Sequence, residues 1–356
     1  MSFEENVRRV VPYVPGEQPN RPDMIKLNTN ECPYPPSPRV EEALRGLNAD
    51  SLRLYPDPAA AELTNALAAR YQVKPEQVFV GVGSDDVLAM SFLTFFNSEK
   101  PILFPDITYS FYDVWADLFR IPFQTCPLRE DFTICAEDYL KPNGGIVIPN
   151  PNAPTGLFEP VANLERIIAG NPDSVVIIDE AYVDFGAKSV LPLVERYENL
   201  LVVQTFSKSR AMAGARIGFA IGQPKLISYL NDAKFSFNSY TMSQTSLAVG
   251  RAAVEDEAYF QKITGKIIKT RERAKKELKA LGFTFPDSKA NFIFATHERL
   301  SAKEIFDSLR ERDIYVRYFN KPRIDNYLRI TVGTDEQMEA LFAALREIIA
   351  GQGTAL

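Results

Sequence analysis

The sequence predicts an α/β protein: a large domain on a mostly parallel sheet flanked by helices, followed by a small C-terminal α/β domain. Three observations carry that expectation. The runs SVVIID (174–179) and NLLVVQT (199–205) each carry four consecutive apolar residues rich in β-branched side chains, as strands buried on both faces require. Around them, strand-like and helical segments alternate along the chain, the order that builds a parallel sheet. The 356 residues, 46% of them hydrophobic, suffice for one large core and a smaller second one. We divide the chain into an extended arm (1–40), a large domain (41–245) and a small domain (246–356).

Composition removes several function classes. Lysine and arginine total 40 against 46 acids, a net charge of −6 with no basic run, so nucleic acid is not an expected partner. Cys32, Cys126 and Cys135 form no C-x-x-C pair and read as packing residues of a reducing compartment. The start, MSFEENVRRVVPYVPGEQP, lacks an apolar signal core, and no run of about 18 apolar residues suggests a membrane span. A cytoplasmic enzyme without membrane contact is expected. His297 is the only histidine, which leaves histidine triads and His-ligated metals a single residue, and no metal is expected.

Each segment has a local reason. Eight prolines from Pro12 to Pro38 keep the arm extended rather than helical. LYPDP (54–58) is a turn, with Asp57 before Pro58 starting an amphipathic helix. QVFVGVGSDDVLAMSFLTFF (77–96) reads as strand, glycine-rich turn and helix; a dinucleotide fingerprint would need glycine where Asp86 stands. Ser84 and Asp85 open that helix, whose free N–H groups make an anion site, with Asp85 suited to capping. After the strand PILFPD, Tyr109 opens an aromatic helix that is mostly core; GGIVIPNPNAPTG (144–156) is a strand running into a proline-punctuated turn. A helix from Pro224, a serine- and threonine-rich link at 236–245 and a charged helix over about 257–281 lead into alternating strands and helices: NFIFAT, SAKEIFDSLRERD, IYVRYF, YLRITVG and DEQMEALFAALREIIAG. In LRITV, alternation sends Leu328, Ile330 and Val332 one way and Arg329 with Thr331 the other; IYVRYF places Arg317 similarly. An arginine taken from water without a partner costs roughly several kcal/mol, so each is exposed, ion-paired or waiting for an anion.

Two strand ends carry the chemistry. In TFSKSRAMAGARIGF (205–219), Lys208 stands just past a strand's carboxyl end, the edge where open parallel sheets bind ligands. A solvated loop lysine is the alternative. In a crevice, desolvation and neighbouring cations, here Arg210 and Arg216, favour a neutral amine, which can attack a carbonyl to form a Schiff base. Ser207, Ser209 and Arg216 offer donors to a phosphate. Asp179 ends the other strand, with Tyr182 three residues on; a helix cap or a metal ligand are the alternatives for that acid. An amine, an anion for a pyridinium nitrogen and phosphate donors are together what pyridoxal phosphate needs.

SVVIIDEAY, TFSKSRAMAGARIGF and NPNAPTG (150–156) resemble the fold-type I pyridoxal-phosphate aminotransferases. LNTNECPYPPSP, LYPDP and YLRITVGT narrow the resemblance to the histidinol-phosphate aminotransferase family, in order over nearly the whole chain. The resemblance implies pyridoxal 5'-phosphate as cofactor and amino transfer between L-histidinol phosphate and 2-oxoglutarate, with Lys208, Asp179 and Tyr182 as catalytic residues. Ser84, Ser207 and Arg216 would then serve the phosphate, Asp85 would stand beside them among the cofactor-binding residues, and Tyr109 would lie flat on the ring. Family members commonly carry asparagine where this chain has Ala153, so Asn152 or Tyr182 is left to meet the cofactor's phenolic oxygen. Tyr55 would reach the phosphate of a neighbouring subunit, making a homodimer with composite sites. The arm would bring Tyr13 and Asn30 to the substrate, and Arg329 and Arg317 would bind its anionic end. Aromatic amino-acid transamination, phosphothreonine decarboxylation and a non-catalytic relative remain as alternatives on the same cradle.

Overall fold

The structure, a computed structural model, describes residues 2–19 and 21–352. Its strands are β1 (Ile25–Lys26), β2 (Val78–Gly81), β3 (Ile102–Pro105), β4 (Phe123–Cys126), β5 (Gly145–Pro149), β6 (Val176–Asp179), β7 (Leu200–Thr205), β8 (Gly218–Gly222), β9 (Phe283–Thr284), β10 (Phe292–His297), β11 (Ile314–Tyr315), β12 (Arg317–Tyr318) and β13 (Leu328–Thr331). Its α-helices are α1 (Pro38–Arg45), α2 (Ala61–Tyr71), α3 (Gly83–Phe95), α4 (Tyr112–Phe119), α5 (Val161–Gly170), α6 (Pro224–Phe237), α7 (Gln244–Val254), α8 (Glu257–Ala280), α9 (Ala302–Arg310) and α10 (Asp335–Gln352).

Seven strands form the large sheet in the order β2-β8-β7-β6-β5-β3-β4. The set β3 to β7 is parallel, and β8 runs antiparallel to both β7 and β2. The carboxyl ends of β2 to β7 therefore share one edge, and β8 starts there. Alternation along these strands feeds two cores. Val80, Ile146, Ile178 and Val202 pack with α2, α5 and α7 on one face, while Phe79, Val147, Ile177 and Val203 pack with α3, α4 and α6 on the other. That double cover is why the β6 and β7 sequences are apolar throughout: no position faces water. Only the edge strand β4 leaves most of its residues exposed.

A second sheet, β12-β13-β10-β9, is antiparallel and is covered by α8, α9 and α10. The arm joins this part of the chain through a separate two-stranded sheet, in which β1 pairs in parallel with β11. Local details differ from expectation. Helix α1 begins within the proline-dense segment, using Pro38 as its first residue behind the Ser37 cap. Asp57 does not start α2 directly: its carboxylate accepts from the Ala59 and Ala61 N–H groups, and the helix begins at Ala61. Tyr109 precedes α4 rather than opening it. No helix of the described residues is long and apolar enough to cross a membrane, and the described residues contain no cluster of three His, Cys, Asp or Glu able to hold a metal.

Candidate active site

The shared edge of the large sheet collects the chemistry-bearing side chains. Strand β6 delivers Asp179, β7 leads to Lys208, β2 leads into the first turn of α3 with Ser84 and Asp85, and Arg216 arrives immediately before β8. With Tyr109, Tyr182 and Ser207 these residues line one crevice of about 170 Å³. Lys208 Nζ donates to the Thr29 carbonyl at 3.3 Å and sits 5.9 Å from the centre of the Tyr182 ring. The solvated-loop reading of this lysine does not hold.

At one end of the crevice, Asp179 is only 5% exposed. The Tyr112 hydroxyl donates to its Oδ2 at 2.9 Å and the Ala181 N–H to its Oδ1 at 3.1 Å. Burial pushes the carboxyl up to about 6, against the pull of those two donors.

The other end is a polar cradle. Ser207 Oγ accepts from Thr205 Oγ1 at 3.0 Å and from Arg216 at 3.5 Å, and Arg216 also pairs with Asp85 at 3.2 Å. Asp85 in turn accepts from the Tyr109 hydroxyl at 2.8 Å, so this acid orients two site residues instead of capping α3. Asp86, in the first turn of the helix, accepts from the Val82 N–H at 2.8 Å. Arg216 adopts a left-handed backbone (φ 52°), a conformation a bulky residue holds only where its surroundings enforce it. The cradle is tight by construction: a Cβ on Gly218 would lie 2.3 Å from the Ser84 nitrogen, so glycine there lets the α3 turn close onto β8.

A second lobe, about 160 Å³, shares Thr29, Tyr109, Ala153, Tyr182 and Lys208 with the crevice and adds Tyr13, Asn30, Arg317 and Arg329. Asn30, also left-handed at φ 57°, is 1% exposed and donates to the Tyr182 hydroxyl at 2.9 Å while Thr331 donates to its Oδ1 at 3.0 Å. Tyr13 stacks on Phe111 with ring centres 4.1 Å apart. Arg329 donates to the Asn28 carbonyl at 2.9 Å and lies over Phe292 at 5.4 Å, and its Nε is buried without any partner. Burial lowers its pKa, and Arg317, directly opposite it across β12 and β13, adds like-charge repulsion. No carboxylate pairs with either arginine among the described residues, so the lobe is built for an anion.

Three sequence expectations need revision. Asn152 does not line the crevice: its amide donates to the Ile107 carbonyl and to Thr155, each at 3.0 Å, and Ala153 takes the lining position. Ser209 donates to Asp184, outside the crevice. Arg210 is buried against Phe260 at 4.3 Å and donates to the Ala253 carbonyl, so it is a packing cation rather than a neighbour of Lys208. Tyr55, expected at a neighbouring subunit's site, is 81% exposed and stacks on Tyr240 at 4.5 Å. Conversely, Thr29 and Glu31 line the crevice and Tyr112 backs Asp179 without having been singled out. Thr29 and Glu31 flank Asn30 in the NTNE stretch and were within reach of sequence reading; Tyr112 was hidden in an aromatic stripe that packs as core.

The residues present fit a flat pyridine aldehyde bearing a phosphate. Asp179 is a buried acid, Lys208 an amine between the two lobes, Tyr109 an aromatic wall, and Ser84, Ser207 and Arg216 a cradle at the far end.

A family model described as aminotransferase class I and II matches residues 22–345. Histidinol-phosphate aminotransferase of Lactococcus lactis subsp. cremoris (strain MG1363) is 51% identical over 98% of this chain and 98% of that protein. The enzyme of that name from Aromatoleum aromaticum is 54% identical over 96% of this chain and 98% of its own. Among solved structures, histidinol-phosphate aminotransferase from Sinorhizobium meliloti in complex with pyridoxal-5'-phosphate superposes with a TM-score of 0.84 at 24% identity, covering 92% of this chain and 91% of that one.

Proposed function

We propose, from the premise that this chain belongs to the class I and II aminotransferases, that its crevice moves an amino group between L-histidinol phosphate and 2-oxoglutarate. The cofactor is pyridoxal 5'-phosphate, and the activity serves histidine biosynthesis. One observation carries the site reading: Lys208 and Asp179 line the same crevice, and Arg329 lines the adjoining lobe with no acid partner among the described residues.

When bound, the cofactor supplies an aldehyde that receives an amine and a pyridinium ring that withdraws electrons from the carbon bearing it. The protein does the rest. Lys208 Nζ would hold the aldehyde, and it is placed to take the proton from the donor's carbon as general base and return it as general acid. Asp179 holds the ring nitrogen's proton. Tyr182, fixed by Asn30, would meet the phenolic oxygen in the place of the asparagine that Ala153 replaces, and Tyr109 would form one wall. Ser84, Ser207 and Arg216 hold the phosphate, for which Arg216 is released from Asp85. Arg329 and Arg317 bind the substrate's anionic end, accepting a phosphate monoester in one half-reaction and a carboxylate in the other, and Tyr13 covers the lobe. We also place the protein in the cytoplasm as a homodimer, with Tyr55 reaching the partner's cofactor phosphate.

Absorption spectroscopy tests the reading. Histidinol phosphate should remove the aldehyde-form band of the wild-type protein, and Lys208→Ala should abolish turnover with 2-oxoglutarate; normal turnover in that variant would sink it.

A further inference from the structure

Tyr112 opens α4 with its ring fully buried among Phe92, Phe104 and Trp115. A phenol in such a place is unfavourable unless its hydroxyl finds a partner. Its partner is Asp179 Oδ2, at 2.9 Å. Asp179 lines the crevice and Tyr112 does not, so the phenol reaches the carboxylate from behind. The Ala181 N–H meanwhile holds Oδ1, and two donors on two oxygens fix the plane of the group.

We propose that Tyr112 is the positioning residue of Asp179, aiming the carboxylate at the ring nitrogen of the bound cofactor and keeping it ionised. The inference rests on the reading above that pyridoxal phosphate occupies this crevice. The other titratable groups facing the pair are Asp85 from α3, Lys208 beyond β7, Tyr109 ahead of α4 and Tyr182 beyond β6. Asp85 opposes ionisation of Asp179 and Lys208 favours it, and among the described residues no hydrogen bond joins either to its oxygens. Removing the Tyr112 hydroxyl leaves Oδ2 in an apolar wall with no donor. The carboxyl then titrates higher and is neutral over more of the acid range.

The test is the dissociation constant of pyridoxal phosphate from apoprotein, followed by quenching of intrinsic fluorescence from pH 6 to pH 8.5. Taking the ratio of Tyr112→Phe to wild type cancels the cofactor's own titrations. We expect binding weaker by roughly tenfold at the acid end, with the deficit shrinking as pH rises, and an acid limb of kcat/KM displaced upward by about one unit. Superimposable binding profiles would overturn the proposal. Should Tyr112→Phe not fold, 3-fluorotyrosine at position 112 keeps the shape and strengthens the donor; its acid limb moves down, and an unmoved limb is equally fatal. A wild-type apoprotein that binds no pyridoxal phosphate defeats the cofactor reading instead, which is a different result.

Discussion

Arg329 shows how much a single side chain can say and where it stops. Alternation in LRITV separated it from the apolar face of β13, and its charge required a counter-group; the structure adds that its Nε is buried with none. Replacing it with glutamine keeps much of the volume and removes the charge. We expect kcat/KM to fall on the order of a hundredfold for histidinol phosphate and for 2-oxoglutarate alike, with pyridoxal phosphate affinity unchanged. Steady-state kinetics on both substrates checks it, and a loss confined to one of them would mean the two anions bind in different places. Arg210 is the contrasting case: two residues from Lys208 and equally cationic, it turns into the core over Phe260. Nothing local distinguishes the two arginines, because what decides is which long-range neighbours meet each one.

The elements that build the site were legible where one strand sufficed and opaque where two backbones meet. β6 and β7 announced themselves by composition, and their carboxyl ends hold Asp179 and Lys208 as expected. The contact between the α3 turn and β8 joins residues more than a hundred positions apart, so the need for Gly218 could not be read from its neighbours. Gly218→Ala places a methyl group against the Gly83 and Ser84 backbone, which cannot rotate away as a side chain would. The expected outcome is a loss of about 1–3 kcal/mol in stability and weaker pyridoxal phosphate binding, read from a denaturant melt and a fluorescence titration. A variant that melts early but binds normally would show that the turn re-forms and that its tightness serves packing alone.

At the scale of the whole molecule, the large sheet and its two apolar faces follow from pattern, whereas the assembly does not, since one sequence carries no record of a second copy. Leu52, Leu54, Tyr55 and Phe237 are 66%, 56%, 81% and 73% exposed, much apolar surface to leave in water. If Tyr55 completes the partner's site, mixing Lys208→Ala with Tyr55→Ala subunits should regain activity that neither has alone, because one site of each mixed dimer receives both intact residues. Activity of the refolded mixture measures this, and a sum of the two parents' activities would rule the composite site out. The lobe proposed for the substrate has a consequence of its own. Arg317 and Arg329 are opposite one another on neighbouring strands, and among the described residues no carboxylate pairs with either. A phosphate buffer is therefore expected to be no inert medium for this protein: it would supply the absent counter-ion, bracing the small sheet while occupying the seat proposed for the substrate.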